Sequence, residues 1–205
     1  MEIDRVMDAK KSLKRERIKM YFLEAAKEII IKEGHEQVSA RKVADIAGYS
    51  YATIYNYFAN LNELMWEVKE AMIEELLEAL QKKMQRTTHD IEEVKRGFRI
   101  YTEYYFENPN VFKFFYFYPL SKPDKKKIST EARPDFDLMW KETFKGLVLE
   151  GKLREKDIEI VAKTLIYAIH GLIMLCFSNN GDLTEENVYE ELDIMVDYII
   201  KSRIT

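Results

Sequence analysis

The sequence predicts an all-α protein of about nine helices, with an N-terminal three-helix helix-turn-helix unit ahead of a larger helical domain. Three observations predict it. Apolar residues recur at helical spacing over most of the 205 residues, and alternating apolar–polar runs are scarce. Seven glycines and four prolines are few, so long stretches run without a breaker. The apolar share of 47% supports a sizeable core.

Residues 1–11 are charged and read as a basic, frayed arm. A first helix is expected over about 13–33, with Ile18, Phe22, Ala25, Ala26, Ile29 and Ile30 on one buried face. Gly34 ends it, and His35 reads as an exposed loop histidine. Ser39 is a good N-cap, and Val43, Ala44, Ile46 and Ala47 supply a short apolar face behind it. Gly48 takes the left-handed conformation that ends a helix at low cost. Ser50 caps a second short helix whose inner face is Ile54, Tyr55 and Phe58. Asn60 then opens a third, with Glu63 placed as in a capping box. Two short helices joined by a tight glycine turn form the helix-turn-helix pattern, whose second helix can enter a DNA major groove. The first 59 residues thus divide into the arm and a helix-turn-helix DNA-binding domain over 12–59, and a second, larger helical domain is expected over 60–205.

The helix opened by Asn60 runs to about residue 85 on a stripe of Leu64, Met65, Val68, Met72, Leu76, Leu77 and Leu80. A break falls at 87–89, after which Asp90 caps a helix with Glu93 as its box partner. That helix stops at Asn108–Pro109, and a short one follows over about 111–118. Residues 121–134 are polar and lysine-rich and read as a loop. A helix over about 134–150 closes at Gly151. Asp157 or a neighbour opens the most apolar helix, reaching Ser178; its uncharged run, 164–180, falls just short of a membrane span and reads as buried. Asn179, Asn180 and Gly181 make a turn, and Thr184 caps the last helix, with Glu185 and Glu186 at its positive end.

The motif also carries a resemblance. Ala44, Ala47, Gly48, Ser50, Thr53, Tyr55, Tyr57 and Phe58, then Asn62, Glu63 and Leu64, keep a spacing that resembles the signature of TetR-family (tetracycline-repressor-like) transcription regulators. The match extends from about Ile18 to Trp66, roughly a quarter of the chain, and the remainder resembles the family in layout. The resemblance implies a ligand-responsive, dimeric regulator, in most such proteins a repressor, that leaves a palindromic operator when a small molecule binds its C-terminal domain. The outer face of the second motif helix offers Ser50, Tyr51, Ala52, Thr53, Asn56 and Tyr57 to DNA, with Ser39 and Asn60 at helix starts, and the resemblance implies contacts through Arg41, Thr53 and Tyr55. Small Ala52 permits close approach to a base, and an arginine such as Arg41 can pair with guanine. Core packing competes as a role for Tyr57. Family members often carry lysine at the positions of Ala59 and Leu61, which shifts the expected phosphate contacts towards Lys10, Lys11, Lys14, Arg15, Arg17 and Lys19.

Ten of the eighteen residues from 101 to 118 are Phe or Tyr. Small-molecule pockets are typically apolar and aromatic with a few polar groups. Tyr101, Tyr104, Tyr105, Phe112 and Phe115, with Trp140, Tyr167, His170 and Met174 opposite, are therefore candidate lining for an apolar or aromatic effector; a bulky core is the competing reading. The last two helices pair across a two-fold axis in the family, which makes Leu165, Leu172, Leu192, Met195 and Ile199 candidates for a homodimer interface.

Net charge is −4, but its distribution is uneven: residues 1–60 hold 11 Lys/Arg against 9 Asp/Glu, and the remainder is acidic. The single Cys176 excludes an internal disulfide and fits a cytoplasmic location, as does the charged start, which lacks an apolar leader. Three scattered histidines give no metal-site spacing, and no cofactor, membrane partner or catalytic constellation is expected. The rival reading is a helical small-molecule-binding protein or enzyme whose helix-turn-helix serves protein interaction.

Overall fold

The computed structural model describes residues 2–84, 90–121, 136–178 and 183–201, for 2–6, 8, 9 and 136–142 the backbone only. The expected break at 87–89, the loop over 121–134 beyond Ser121, and the turn at 179–181 lie outside the described residues. Among those that are described, nine α-helices and no strands are found.

The chain forms two compact units. The first comprises residues 1–74 and 110–133. It contains α1 (Glu2–Glu33), a 3-10 turn (His35–Gln37), α2 (Ala40–Ala47), α3 (Tyr51–Ile54), the start of α4 (Leu61–Lys83) and almost all of α6 (Pro109–Phe117). Helix α1 begins far ahead of the expected residue 13. No breaker stands between residues 2 and 12, and extending a formed helix costs little once it is nucleated. The core of this unit is built on Phe22, Ala26, Ile29 and Ile30 of α1, with Val43, Ala44, Ile54, Phe58, Leu64, Met65 and Val68. Ile18 is half-buried at the edge of that face. Ile46 is exposed, contrary to expectation. The eight-residue α2 buries Ala40, Val43 and Ala44 on one side, and a residue two positions past Ala44 points away from it.

Helix α6 joins this unit although the domain boundary was expected at residue 60. Three polar clasps hold it there. Asn110 Nδ2 donates to the Ile31 carbonyl at 3.1 Å, which caps the end of α1. Lys69 Nζ donates to the Phe115 carbonyl at 2.8 Å. The Asn62 carboxamide pairs with the backbone of Ser121, donating at 2.9 Å and accepting at 3.1 Å. His35 is no exposed loop histidine: its ring packs edge-on against Tyr118 at 5.2 Å and lies 6.3 Å from Phe114.

The second unit comprises residues 75–109 and 134–205. It contains the rest of α4, then α5 (Ile91–Glu107), α7 (Phe136–Leu149), α8 (Ile158–Ser178) and α9 (Glu185–Lys201). Asp90 caps α5 by accepting from Glu93 N at 3.1 Å. Gly151 ends α7 at φ 71°, with Lys152 N donating to the Leu147 carbonyl at 2.8 Å. Phe98, Tyr101, Tyr105, Phe144, Leu147, Leu165, Ile169, Ile173, Val188, Leu192 and Val196 form its core. Lys95 is buried against Asp197 at 2.8 Å, and Arg99 forms a forked pair with Asp193. Burial alone would depress the Lys95 ammonium, but the hydrogen bonds it donates to Asp197 and Glu92 outweigh it and raise its pKa. By length and composition, Glu155–Ser178 is apolar enough to cross a membrane, where the sequence reading fell just short. One face of α8 is core, while the rest includes the exposed Ile160, Tyr167, Met174 and Leu175.

Candidate nucleic-acid interface

The turn between α2 and α3 is fixed by short-range bonds. The Ser39 hydroxyl accepts from Lys42 N at 3.2 Å, which satisfies one free amide of the first turn. Gly48 sits at φ 76°, where Tyr49 N donates to the Ala44 carbonyl at 2.9 Å and Gly48 N to that of Asp45 at 3.2 Å. Two residues later the Ser50 hydroxyl accepts from Thr53 N at 3.2 Å and bonds the Thr53 hydroxyl at 2.7 Å. Asn60 Oδ1 accepts from Glu63 N at 2.9 Å. The Glu63 carboxylate reaches back to Ala59 N, one residue ahead of the expected box partner.

These caps aim α3. Ile54 and Phe58 are almost fully buried, so the opposite side must face outward. Tyr51, Ala52, Tyr55 and Asn56 are all exposed, as is Arg41 on α2. Tyr55 was expected on both faces and belongs to the outer one. Tyr51 and Tyr55 stand one helical turn apart. Their hydroxyls are 2.9 Å apart and their rings meet edge-on at 5.2 Å. The hydrogen bond shared with Tyr51, with a smaller contribution from desolvation, pushes the Tyr55 phenol up. Tyr57 is half-buried, 5.6 Å from Phe22, and the Arg15 guanidinium lies 4.9 Å from its ring centroid. Thr53 is half-buried with its hydroxyl on Ser50. The Asn60 oxygen is taken by its cap, which leaves its amide NH2 to donate outward.

The surface so built is a row of neutral donors, two tyrosines and an asparagine, beside a small alanine and an arginine. Such groups pair with base edges and phosphates in a major groove. Residues 22–68 match the family model described as bacterial regulatory proteins, tetR family. That segment, which holds the helix-turn-helix, is similar to the tetR family of regulators. Whole-chain similarity reaches solved TetR-family structures at low identity. A putative transcriptional regulator from Pseudomonas aeruginosa PAO1 superposes with TM-score 0.69 at 16% identity, over 92% of this chain and 93% of that one. A putative TetR-family regulator from Mesorhizobium loti MAFF303099 gives 0.68 at 14%, over 92% and 97%. RolR, solved in complex with resorcinol, gives 0.66 at 16%, over 94% and 90%. Comparison with curated protein sequences gave no match. The TetR-family match begins four residues later than the resemblance seen in the sequence, and two residues further on it ends.

The other candidate residues are divided by the two units. Phe112 and Phe115 are core residues of the first. Tyr101, Tyr104, Tyr105, Tyr167, His170 and Met174 belong to the second. Tyr101 and Tyr105 are buried, with their rings edge-on at 5.0 Å. The Tyr101 hydroxyl lies 2.8 Å from His170 Nε2, and burial lowers the imidazole pKa to about 4. Burial, with a further contribution from Glu75, pushes Tyr104 up to about 12. Tyr167 and Met174 are 67% and 46% exposed and do not face this core, a correction to the expected lining. Helix α8 turns them outward because Leu165, Ile169, Leu172 and Ile173 take its inner side. The Trp140 side chain lies outside the described residues.

A cleft of about 430 Å³ opens elsewhere, on α5 and α9, lined by Arg99, Ile100, Glu103, Glu186, Tyr189, Glu190 and Asp193. None of the expected ligand residues lines it. Three of the five expected interface residues need correction. Leu165, Leu172 and Leu192 are buried within the unit, and Met195 and Ile199 are half-buried. The outward apolar side chains are Ile160, Tyr167, Met174 and Leu175 on α8 and Ile194 and Tyr198 on α9. Ile160, Tyr167 and Met174 are spaced by seven, the repeat that keeps one stripe facing a partner helix, and that spacing was visible in the sequence. The i, i+4 spacing of Tyr51 and Tyr55 was equally visible.

Proposed function

We propose that the chain is a homodimeric repressor that binds a palindromic DNA operator and is released by a small apolar or aromatic effector. The observation that carries the reading is the exposed face of α3. Tyr51, Ala52, Tyr55 and Asn56 stand in water beside Arg41 while Ile54 and Phe58 anchor the same turn in the core. Arg41, Tyr51 and Asn56 read base edges, with Ala52 against a thymine methyl; Ser39, Ser50, Thr53, Tyr55, Tyr57 and Asn60 hold phosphates.

The second copy docks through the outward stripe of α8 and the exposed Ile194 and Tyr198 of α9. A large apolar patch left on one face is the usual mark of such a partner. A two-fold dimer requires two half-sites related by the same symmetry. The effector acts by binding one conformer of the dimer better than another, which changes the separation of the two reading helices. The resorcinol in the RolR complex supports a small aromatic molecule as the effector class. The aromatic side chains of α5 with the Tyr101–His170 pair are the groups we assign to its recognition. This reading needs no covalent chemistry and puts the protein with its DNA in the cytoplasm.

The test is a gel shift with DNA selected from a random pool and with DNA flanking the chain's own coding region. Arg41→Ala and Tyr51→Ala should each weaken binding at least about tenfold, the scale of one lost base contact, with helical content unchanged. Failure of the wild-type protein to bind any palindrome at low salt overturns the proposal. In the same way, Tyr167→Glu should convert a sedimenting dimer to monomer, and a dimer that persists removes the assigned interface.

A further inference from the structure

Arg15 stands in the sequence among six cations ahead of the helix-turn-helix, where each is a candidate phosphate contact. Its surroundings give it different work. Its Nη2 donates to the backbone carbonyl of Asn56 at 2.8 Å, across 41 residues of chain. Its guanidinium also lies 4.9 Å from the centroid of Tyr57, whose ring rests 5.6 Å from the fully buried Phe22. The clamp therefore runs from α1, through the end of the reading turn, back into α1.

The reading helix needs such a clamp. Its α-helical part is only the four residues Tyr51–Ile54, after which it tightens into turns in which Asn56 N bonds Thr53 O and Tyr57 N bonds Ile54 O, both at 3.0 Å. A helix this short does not hold itself, and its last carbonyls have no partner within it. Ser50 secures the first turn. At the other end, a cation on a terminal carbonyl satisfies the acceptor and suits the negative end of the helix. A guanidinium over an aromatic face adds an attraction that depends on its planar geometry as well as its charge.

We propose that Arg15 is a positioning residue for operator reading: it locks the C-terminal end of α3 against α1, so that Asn56 and the Tyr51–Tyr55 pair are held at a fixed angle, and it is not one of the phosphate contacts. The inference rests on the DNA-binding reading above. The two roles differ in what they do to salt dependence and to specificity. A lost phosphate contact weakens binding to all sequences alike and lowers the slope of log K against log salt by about 0.9. A lost positioning contact lowers affinity for the cognate site alone.

The experiment compares the full-length wild type with Arg15→Met and Arg15→Lys on a selected operator and on unrelated duplex DNA across a salt series. Arg15→Met should weaken operator binding about tenfold, leave binding to unrelated DNA within about twofold, and leave the salt slope unchanged. Arg15→Lys keeps the charge but loses the planar fork, and should show a smaller loss with the same pattern. Equal weakening on both DNAs, with a slope reduced by about one, overturns the proposal and returns Arg15 to the phosphates. Amide hydrogen exchange in the absence of DNA is the second readout: Arg15→Met should speed exchange at Asn56, Tyr57 and Phe58, and unchanged protection there also overturns the clamp. If the wild type binds no DNA, the DNA-binding reading fails, while the exchange experiment still decides whether Arg15 closes the turn.

Discussion

In the first unit the chain turns at Ser39, Gly48, Ser50 and Asn60, and each turn is closed by a bond to a residue three to five positions away. In the second, helices meet through pairs far apart in sequence: Lys95 with Asp197, Arg99 with Asp193, and Tyr101 with His170. The first unit uses local bonds to present an exposed reading face. The second uses long helices to bury aromatic rings and a small set of polar groups among them. The difference teaches where each is vulnerable. Cap losses in the first unit should cost little stability and much geometry, whereas core losses in the second should cost stability outright.

The largest expected effect tests the second unit. Phe98 is fully buried, and Phe98→Ala should destabilise the protein by about 3–5 kcal/mol in urea unfolding. A loss under about 1 kcal/mol would mean that the aromatic interior is loosely packed.

Next comes His170. Its folded pKa is about 4 against an ordinary 6.5, so between those values the unfolded chain takes up a proton that the folded chain refuses. The stability tied to a neutral His170 is full above pH 6.5, falls as pH drops, and levels off near pH 4. At about 1.4 kcal/mol per pH unit the total reaches ~3 kcal/mol. His170→Gln should flatten that part of the pH–stability curve relative to wild type, and an unchanged slope would remove the buried neutral imidazole.

The caps of the first unit come third. Ser50→Ala should cost ~1 kcal/mol through the lost bond to Thr53 N. Gly48→Ala should cost a similar ~1 kcal/mol, because a Cβ there meets nothing within 4 Å and only the left-handed backbone is strained. In both variants operator affinity should fall further than stability, read by gel shift beside thermal melts.

The smallest effect on stability should come from Tyr55→Phe. The pair with Tyr51 is on the surface, so the melting curve should move by less than about 0.5 kcal/mol. Binding to the operator should nevertheless weaken. Loss of stability without loss of affinity would make the tyrosine pair a folding device and blur the contrast between the units.

Much of the reading unit was legible because its signals are short-range. Ser39, Gly48, Ser50 and Asn60 act on neighbours within one turn, so residue type and spacing locate them. Ile54 and Phe58 were identifiable as inner residues for the same reason. Tyr55 was not placed on one face, since a tyrosine suits both a core and a wet surface. The outward turn of Tyr167 and Met174 was missed because α8 is apolar on more than one side, and composition does not say which side meets its own chain. Leu165 and Leu172 were assigned to an interface for that reason, and the core claims them.

The sequence by itself determined the all-helical class, the order of the helices and the helix-turn-helix with its caps. Helical periodicity and capping are written in residues at most a few positions apart. Only the tertiary structure decided that α6 belongs with the reading unit, that Arg15 holds the end of α3, and that His170 sits beside Tyr101. Each of those depends on side chains brought together across 40 to 80 residues, for example the 41 between Arg15 and Asn56 and the 79 between Ile31 and Asn110. No local pattern encodes such a meeting, because it is fixed by how whole helices pack.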